Sequence, residues 1–342
     1  MRFLVLGGTW FLGRAMVEED LRRGHEISTF NRGISAPDVP GARAVHGDRT
    51  SATDLARLTG EDGGWDAVID TSGYVPAVVL LAARALAGRA GRYAFVSSVN
   101  AYQGWPTERL TEASPVRECA PDATDEGLDA GADRYGRLKA GCENAVTSVF
   151  SDRALVLRPG VILGPRESVG RVPWWLERIA RGGRVLAPGF PERPIQPIDV
   201  RDVAAFTIDA LGSGLSGAVN VAAPAGHSTF GEFLAACVRA TGSGAELEWV
   251  DDDFLLARGV RMWTELPLWR AYPGTWQVDA SRALAAGLRA RPLPETVADT
   301  WAGMRSGGAA LDHTRQAQLG IDPGVEQKIL ADWDEREGVP PR

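Results

Sequence analysis

The sequence predicts an α/β chain built on a doubly wound parallel sheet, with a smaller mixed region toward the C-terminus. Three observations carry the prediction. Short apolar runs alternate with segments of helical period as far as Leu157. A glycine-rich turn, Gly7-Gly8-Thr9-Trp10-Phe11-Leu12-Gly13, joins the first run to the first helical segment. After Arg158 the alternation loosens, and prolines and tryptophans become frequent, as in Pro173-Trp174-Trp175, Pro188, Pro191, Pro194 and Pro197.

Taken in order, residues 2–6 are rich in Phe, Val and Leu and end at Gly7-Gly8, which reads as a strand buried on both faces. Leu12, Ala15, Met16 and Leu21 recur at helical spacing and stop at Arg23-Gly24, a helix closed by glycine. Residues 25–30 form the next strand and 42–46 a third. A helix over 50–58 starts at a Thr or Ser cap. Strand 67–69, helix 78–86, strand 93–96, helix 135–149 and strand 154–157 follow. Strand–helix–strand units cross over right-handed and cover both faces of a parallel sheet. Further helices are expected at 230–240 and 281–286, and a frayed end at 338–342. The expected division is a sheet domain over 1–165, to which the chain returns at 195–225, and a cap over 166–194 and 226–342.

The chain has 342 residues, 44% hydrophobic and 24% charged, enough apolar material for a large core. Lys and Arg number 37 against 44 Asp and Glu, a net charge of −7. Such a chain lacks the basic surface that attracts phosphate backbones or anionic membranes, so neither nucleic acid nor membrane is the expected partner. Cys119, Cys142 and Cys237 are odd in number and far apart, which suits a reducing, cytoplasmic compartment. No run reaches about 18 apolar residues, so no membrane span or export signal is expected. His25, His46, His227 and His313 lie apart with no ligand spacing, and no metal centre is expected. Asp251-Asp252-Asp253 reads as a solvated cap or turn.

The glycine turn follows a strand and opens a helix. In that setting glycines let backbone approach a pyrophosphate, and the helix N-terminus offers N–H groups and partial positive charge. Gly7, Thr9, Trp10, Phe11, Leu12 and Gly13 are the expected phosphate-binding residues. Trp10 stands where a third glycine is common, and narrows the loop or stacks near a cofactor. Asn31 and Arg32 end the second strand, where an acid binds a ribose 2′-hydroxyl and an Arg accepts a 2′-phosphate. With no acid at 31, NADP(H) is favoured over NAD(H), with Arg14 as a second phosphate contact; a solvated loop charge is the alternative for Arg32. Asp48 and Arg49 follow the third strand at the adenine end, Asp48 as acceptor for the adenine amino group or as a helix cap. Ser72 and Gly73, after the fourth strand, are expected to lie along the cofactor.

Tyr135 and Lys139, at i and i+4, share one helix face. A free tyrosine titrates near about 10, and a neighbouring cation favours the phenolate, making the hydroxyl a usable acid or base nearer neutrality. Ser98 ends a strand, where its hydroxyl is placed to hold a substrate oxygen. Trp174, Trp175, Trp263 and Trp269 are candidates for an aromatic pocket in the cap, although core packing is the commoner role for tryptophan.

These features in this order resemble the short-chain dehydrogenase/reductase superfamily in its extended, epimerase/dehydratase-like branch. The resemblance covers residues 1–225. It includes Val96-Ser97-Ser98 with Tyr102, Leu157-Arg158-Pro159-Gly160 with Gly164-Pro165, and Ile198-Asp199-Val200-Arg201-Asp202-Val203-Ala204. The glycine turn with its non-glycine centre, together with Phe30-Asn31-Arg32-Gly33, is similar to an atypical subgroup. The resemblance implies a Rossmann-type fold with a C-terminal substrate-binding region. It makes Tyr135 the general acid/base and Lys139 the group that holds the nicotinamide ribose and lowers the tyrosine pKa. Ser98 becomes the hydrogen-bond donor to the reacting oxygen, and Pro159 and Gly160 border the nicotinamide. It also implies pairing of two copies through helices such as 135–149. Val161 and Leu163 replace an Asn and a Tyr common in sugar-nucleotide enzymes, which speaks against a diphosphate-sugar. Val99 and Asn100 stand where dehydratases carry two acids, which speaks against elimination. The expectation is a reductase or dehydrogenase acting on a small organic carbonyl or alcohol. An epimerase with transient oxidation of a sugar-like substrate is the runner-up, and a non-catalytic nucleotide sensor or RNA binder comes third.

Overall fold

The structure, a computed structural model, describes residues 1–59, 64–126, 131, 133–307 and 316–338; His313 and residues 339–342 lie outside them. It divides into two compact units. The first comprises Met1–Ile162, Pro197–Pro224 and Pro273–Ala290, the second Leu163–Gln196, Ala225–Tyr272 and Arg291–Arg342.

In the first unit, β1 (Arg2–Leu6), α1 (Phe11–Arg22), β2 (Glu26–Asn31), β3 (Arg43–His46), α2 (Ala52–Thr59), β4 (Trp65–Asp70), α3 (Pro76–Leu86), β5 (Ala90–Val96), α4 (Arg134–Phe150) and β6 (Ala154–Pro159) alternate as predicted. A seventh strand, Gly217–Val221, closes a sheet whose order is Gly217–Val221, β6, β5, β4, β1, β2, β3. Every pairing is parallel.

Parallel strands covered on both sides bury both of their faces, which is why they read as unbroken apolar runs. Phe3 and Val5 face Leu12 and Met16 of α1 and Val203, Phe206 and Leu211 of the helix Val200–Gly212. Leu4 and Leu6 point the other way, into Leu55 and Leu58 of α2, Val79 and Leu86 of α3 and Val146 and Phe150 of α4. The strand order reverses between β1 and β4, and the crevice at the carboxyl ends of such strands is where α/β sheets bind ligands.

Pro273–Ala290 belongs to the first unit, whereas the sequence assigns it to the cap. Its reason is the outer edge of the sheet. Arg282 donates to the carbonyls of Ser216 (2.7 Å) and Ala218, and Val278 bridges to Leu110. An exposed strand edge is thereby covered.

The second unit carries helices Arg171–Ala180, Phe230–Thr241, Leu293–Arg305 and Pro323–Glu337, and two parallel strands, Arg184–Pro188 and Glu246–Val250. Trp175 and Trp269 are fully buried core residues. Their indoles donate to Pro267 O and Asp252 Oδ1, each at 2.7 Å, because a buried N–H needs an acceptor. Trp263 lies beneath the guanidinium of Arg270, 4.4 Å from ring centre to Cζ. Asp252 also pairs with Arg193, so the acidic triplet is structural at its centre and not merely solvated. The three cysteines are free thiols. Among the described residues no helix is long and apolar enough to cross a membrane, and no cluster of His, Cys, Asp and Glu suits a metal ion.

Asp20 of α1 is fully buried and meets His25 Nδ1 at 2.8 Å. Burial pushes its carboxyl up from 3.8 to about 6, against the pull of His25 and Arg23. Folding therefore favours the protonated acid, a contribution present below the ordinary carboxyl pKa and lost as pH rises through about 6. Asp20→Asn removes this dependence. Its thermal midpoint, relative to wild type, is expected to climb between pH 4 and pH 7; an offset that stays constant with pH contradicts the assignment.

Candidate active site

Gly7 and Gly8 leave β1 with φ of 106° and 95°, values only glycine takes without strain. A Cβ on Gly7 would stand 2.8 Å from Thr71 Oγ1, one on Gly8 2.9 Å from Thr29 Cγ2, and one on Gly13 2.7 Å from Thr71 Oγ1. The turn thus lies bare against the ends of β2 and β4. No side chain caps α1 at Trp10, and the first turn of α1 carries no acidic residue, so its positive end is not neutralised. Phe11 takes φ 28°, a non-glycine residue in a conformation that costs about 1–3 kcal/mol and tends to occur at ligand clamps. A bare turn feeding an uncapped helix start fits a dinucleotide pyrophosphate.

Beyond β2, Asn31 Oδ1 accepts from Gly33 N at 2.7 Å, shaping the turn that leaves Arg32 exposed. Arg14 pairs with Glu18 at 2.7 Å within α1. Asp48 accepts from Thr50 N and Thr50 Oγ1, both at 2.8 Å, and these bonds hold its carboxyl below the usual range. These bonds close a turn ahead of α2, whose cap is Ser51, with Ser51 Oγ accepting from Asp54 N at 3.1 Å, so Asp48 is not the cap of that helix. Arg49 is directed into the interior, to Asp70 and Ser72. Ser72 Oγ donates to Leu6 O at 3.1 Å, which fastens the turn after β4 to the end of β1.

On the other side of the switch point, α4 carries Tyr135 and Lys139 on one face as the spacing predicts. Lys139 is buried, and its ammonium donates to Val96 O (2.8 Å) and Gly73 O (2.9 Å). Rings surround it: Tyr74 and Phe95 centres at 4.9 Å and Tyr135 at 6.0 Å. Ser98 starts the short 3-10 turn Val99–Ala101, and its Oγ accepts from Asn100 Nδ2 (3.0 Å) and Asn100 N (3.2 Å). Both lone pairs are occupied, so the hydroxyl proton is the part left to donate. Gly160 N donates to Val221 O at 3.0 Å, holding the end of β6, with Pro159, against the edge strand.

Behind these groups lies a network that sequence reasoning missed. Arg158 Nε lies 3.0 Å from Glu143 Oε1, and both side chains are buried. Ser97 donates to the same carboxylate. Arg158 Nη1 reaches Tyr102 Oη at 3.0 Å, and Tyr102 donates to Asn220 Oδ1 at 2.7 Å. The available signal was a carboxylate one turn after Lys139 on the apolar face of α4, and an arginine inside an apolar strand.

Residues 3–222 match the model of the NAD dependent epimerase/dehydratase family. The chain belongs to this family. A segment of 104 residues, 29% of this chain and 34% of the relative, is 36% identical to the probable low-salt glycan biosynthesis reductase Agl14 of Haloferax volcanii; the match spans about a third of that relative. UDP-glucose 4-epimerase of Thermus thermophilus, solved with NAD, superposes with a TM-score of 0.62 at 22% identity, over 89% of this chain and 99% of that one. WbmG of Bordetella bronchiseptica, solved with NAD and UDP, gives 0.67 at 19% identity, over 91% and 97%. These likenesses establish the fold.

Helix α4 owes its seat to Gly136, where an added Cβ would overlap the carbonyl oxygen of Asn100. Alanine in a helix gains up to about 1 kcal/mol over glycine. Gly136→Ala is nevertheless expected to lower the urea midpoint, because forcing α4 off the Asn100 backbone costs about 1–3 kcal/mol or more. An unchanged or raised midpoint contradicts this packing.

Proposed function

We propose that the protein is a nicotinamide-dinucleotide-dependent oxidoreductase that transfers hydride to or from a small organic carbonyl or alcohol. The observation that carries this reading is the buried Lys139 ammonium, fastened to Gly73 O and Val96 O beside Tyr135, at the same sheet edge as the glycine turn. Membership of the family and the fold of NAD-bound neighbours support it.

When bound, the cofactor supplies or takes the hydride at its nicotinamide ring. Gly7, Thr9, Trp10, Phe11, Leu12 and Gly13 hold the pyrophosphate, and Pro159 and Gly160 border the ring. Tyr135 gives a proton to the substrate oxygen, or removes one, as the carbonyl is reduced or the alcohol oxidised. Lys139 sets its positive charge beside that phenol, 6.0 Å from the ring centre. Ser98, with Asn100 on its lone pairs, donates to the same oxygen and holds the reacting carbon in place. Exposed Arg32 favours NADP(H); NAD(H), named for the family and bound by the neighbours, is the alternative. Three free thiols suit a cytoplasmic setting.

A second reading, epimerisation by transient oxidation, is favoured by the likeness to UDP-glucose 4-epimerase. Net change in reduced-nicotinamide absorbance during turnover separates the two, since epimerisation leaves it unchanged.

Tyr135→Phe is expected to lower turnover by about 10²–10⁴-fold, the usual share of a general acid or base, while dinucleotide affinity measured by fluorescence holds. Activity near wild type sinks the assignment. Arg32→Ala is expected to weaken NADPH roughly tenfold or more, as loss of a charge-assisted bond of about 1.5–3 kcal/mol implies, and to leave NADH nearly unaffected. Equal losses for both show that no 2′-phosphate is read there.

A further inference from the structure

An ion pair between a fully buried carboxylate and a largely covered guanidinium lies under the glycine turn and has no part in the chemistry above. Arg49 follows β3 and reaches Asp70, the last residue of β4, although β1 and β2 stand between those strands. The two groups meet as a fork, Nη1–Oδ1 and Nη2–Oδ2 both 2.7 Å. Asp70 is fully buried and also accepts from Tyr93 Oη of β5 (2.8 Å) and from Ser72 N (3.0 Å). Arg49 Nη1 donates in addition to Ser72 Oγ (2.9 Å), which in turn donates to Leu6 O (3.1 Å). A Cβ on Gly7 would stand 3.4 Å from Ser72 Cβ. One network therefore ties together the turn bearing Asp48, the turn bearing Gly7, and the turn bearing Ser72 and Gly73.

Stability alone does not account for this pair. Burial opposes the Asp70 charge, yet Arg49 and the hydrogen bonds hold its carboxyl below the ordinary range. Apolar side chains of similar volume commonly serve a core as well as a buried pair or better. A fork, unlike an apolar contact, fixes the distance and orientation of the elements it joins. In this fold the ends of β2 and β3 border the adenosine half of a dinucleotide.

We propose that Arg49 and Asp70 are a positioning pair for the adenosine half-site. They set the gap between the turns after β3 and β4, so that adenosine finds that gap already formed. Arg49 acts through Asp70 and Ser72 and does not itself bind the cofactor. The proposal rests on the dinucleotide-binding reading above.

The test is the double variant Arg49→Met/Asp70→Leu, compared with wild type in thermal midpoint and in affinity for NADPH, NADH, ADP-ribose and reduced nicotinamide mononucleotide. A folded variant with an undiminished midpoint is expected to bind the dinucleotides and ADP-ribose about tenfold more weakly, through lost preorganisation. Its affinity for the mononucleotide is expected to match wild type. Wild-type affinity for ADP-ribose overturns the proposal, as does an equal loss for the mononucleotide. If the double variant does not fold, Arg49→Lys keeps the charge and loses the fork; it is expected to weaken ADP-ribose likewise, and unchanged affinity overturns the pair's role. A wild-type protein that binds none of the four probes defeats the dinucleotide reading itself, and the proposal with it.

Discussion

The first unit is organised around a cation that has left water. Lys139 is buried, and a buried ammonium is tolerated only where acceptors replace its hydration. Two backbone carbonyls do so, Gly73 O from the turn after β4 and Val96 O from the end of β5. The faces of Tyr74 and Phe95 add favourable electrostatics at 4.9 Å. Because both oxygens belong to the main chain, the lysine fixes α4 against the sheet and not merely against other side chains. Tyr135, one turn earlier, inherits that placement. So does the Ser98 turn, which packs on α4 at Gly136.

The carboxyl edge of the sheet is further tied by two ion pairs on either side of the switch point. Glu143–Arg158 links α4 to the end of β6 and, through Ser97 and Tyr102, to the end of β5 and the edge strand. Arg49–Asp70 does the corresponding work among β1, β3 and β4. Each bridges backbone segments that the sheet's own hydrogen bonds do not hold, since those bonds end with the strands. Loops at this edge would otherwise be the least constrained part of the unit. The bridges tie Ser72, Arg49 and Ser97, in the turns at this edge, to side chains of the strands and of α4.

Much of this fold was legible in the sequence because it depends on local pattern. Strands buried on both faces show as unbroken apolar runs, as in Arg2–Leu6, and glycines at Gly7 and Gly8 mark the turn. Tyr135 and Lys139 share a face by helical geometry, but their spacing acquires meaning only together with the glycine turn and Ser98 in order along the chain. What was not legible depends on partners distant in sequence. Arg158 lies 15 residues from Glu143, and Arg49 lies 21 from Asp70. No periodicity announces either pair, so Arg49 reads as a cofactor contact until its guanidinium is seen facing inward. Pro273–Ala290 reads as cap because its attachment runs through Arg282 to carbonyls of another segment. Trp175 and Trp269 read more readily as core than as pocket, and their burial agrees with the core reading.

The proposed chemistry requires a nicotinamide ring, carried by the glycine turn, to meet the Tyr135 hydroxyl. A crystal structure of the protein grown with excess NADPH or NADH tests it most directly. The pyrophosphate is expected on Gly7–Gly13 and the ring beside Tyr135 and Lys139, close enough for one substrate oxygen to touch both Ser98 and Tyr135. A dinucleotide seated elsewhere, or a ring turned away from that hydroxyl, contradicts it.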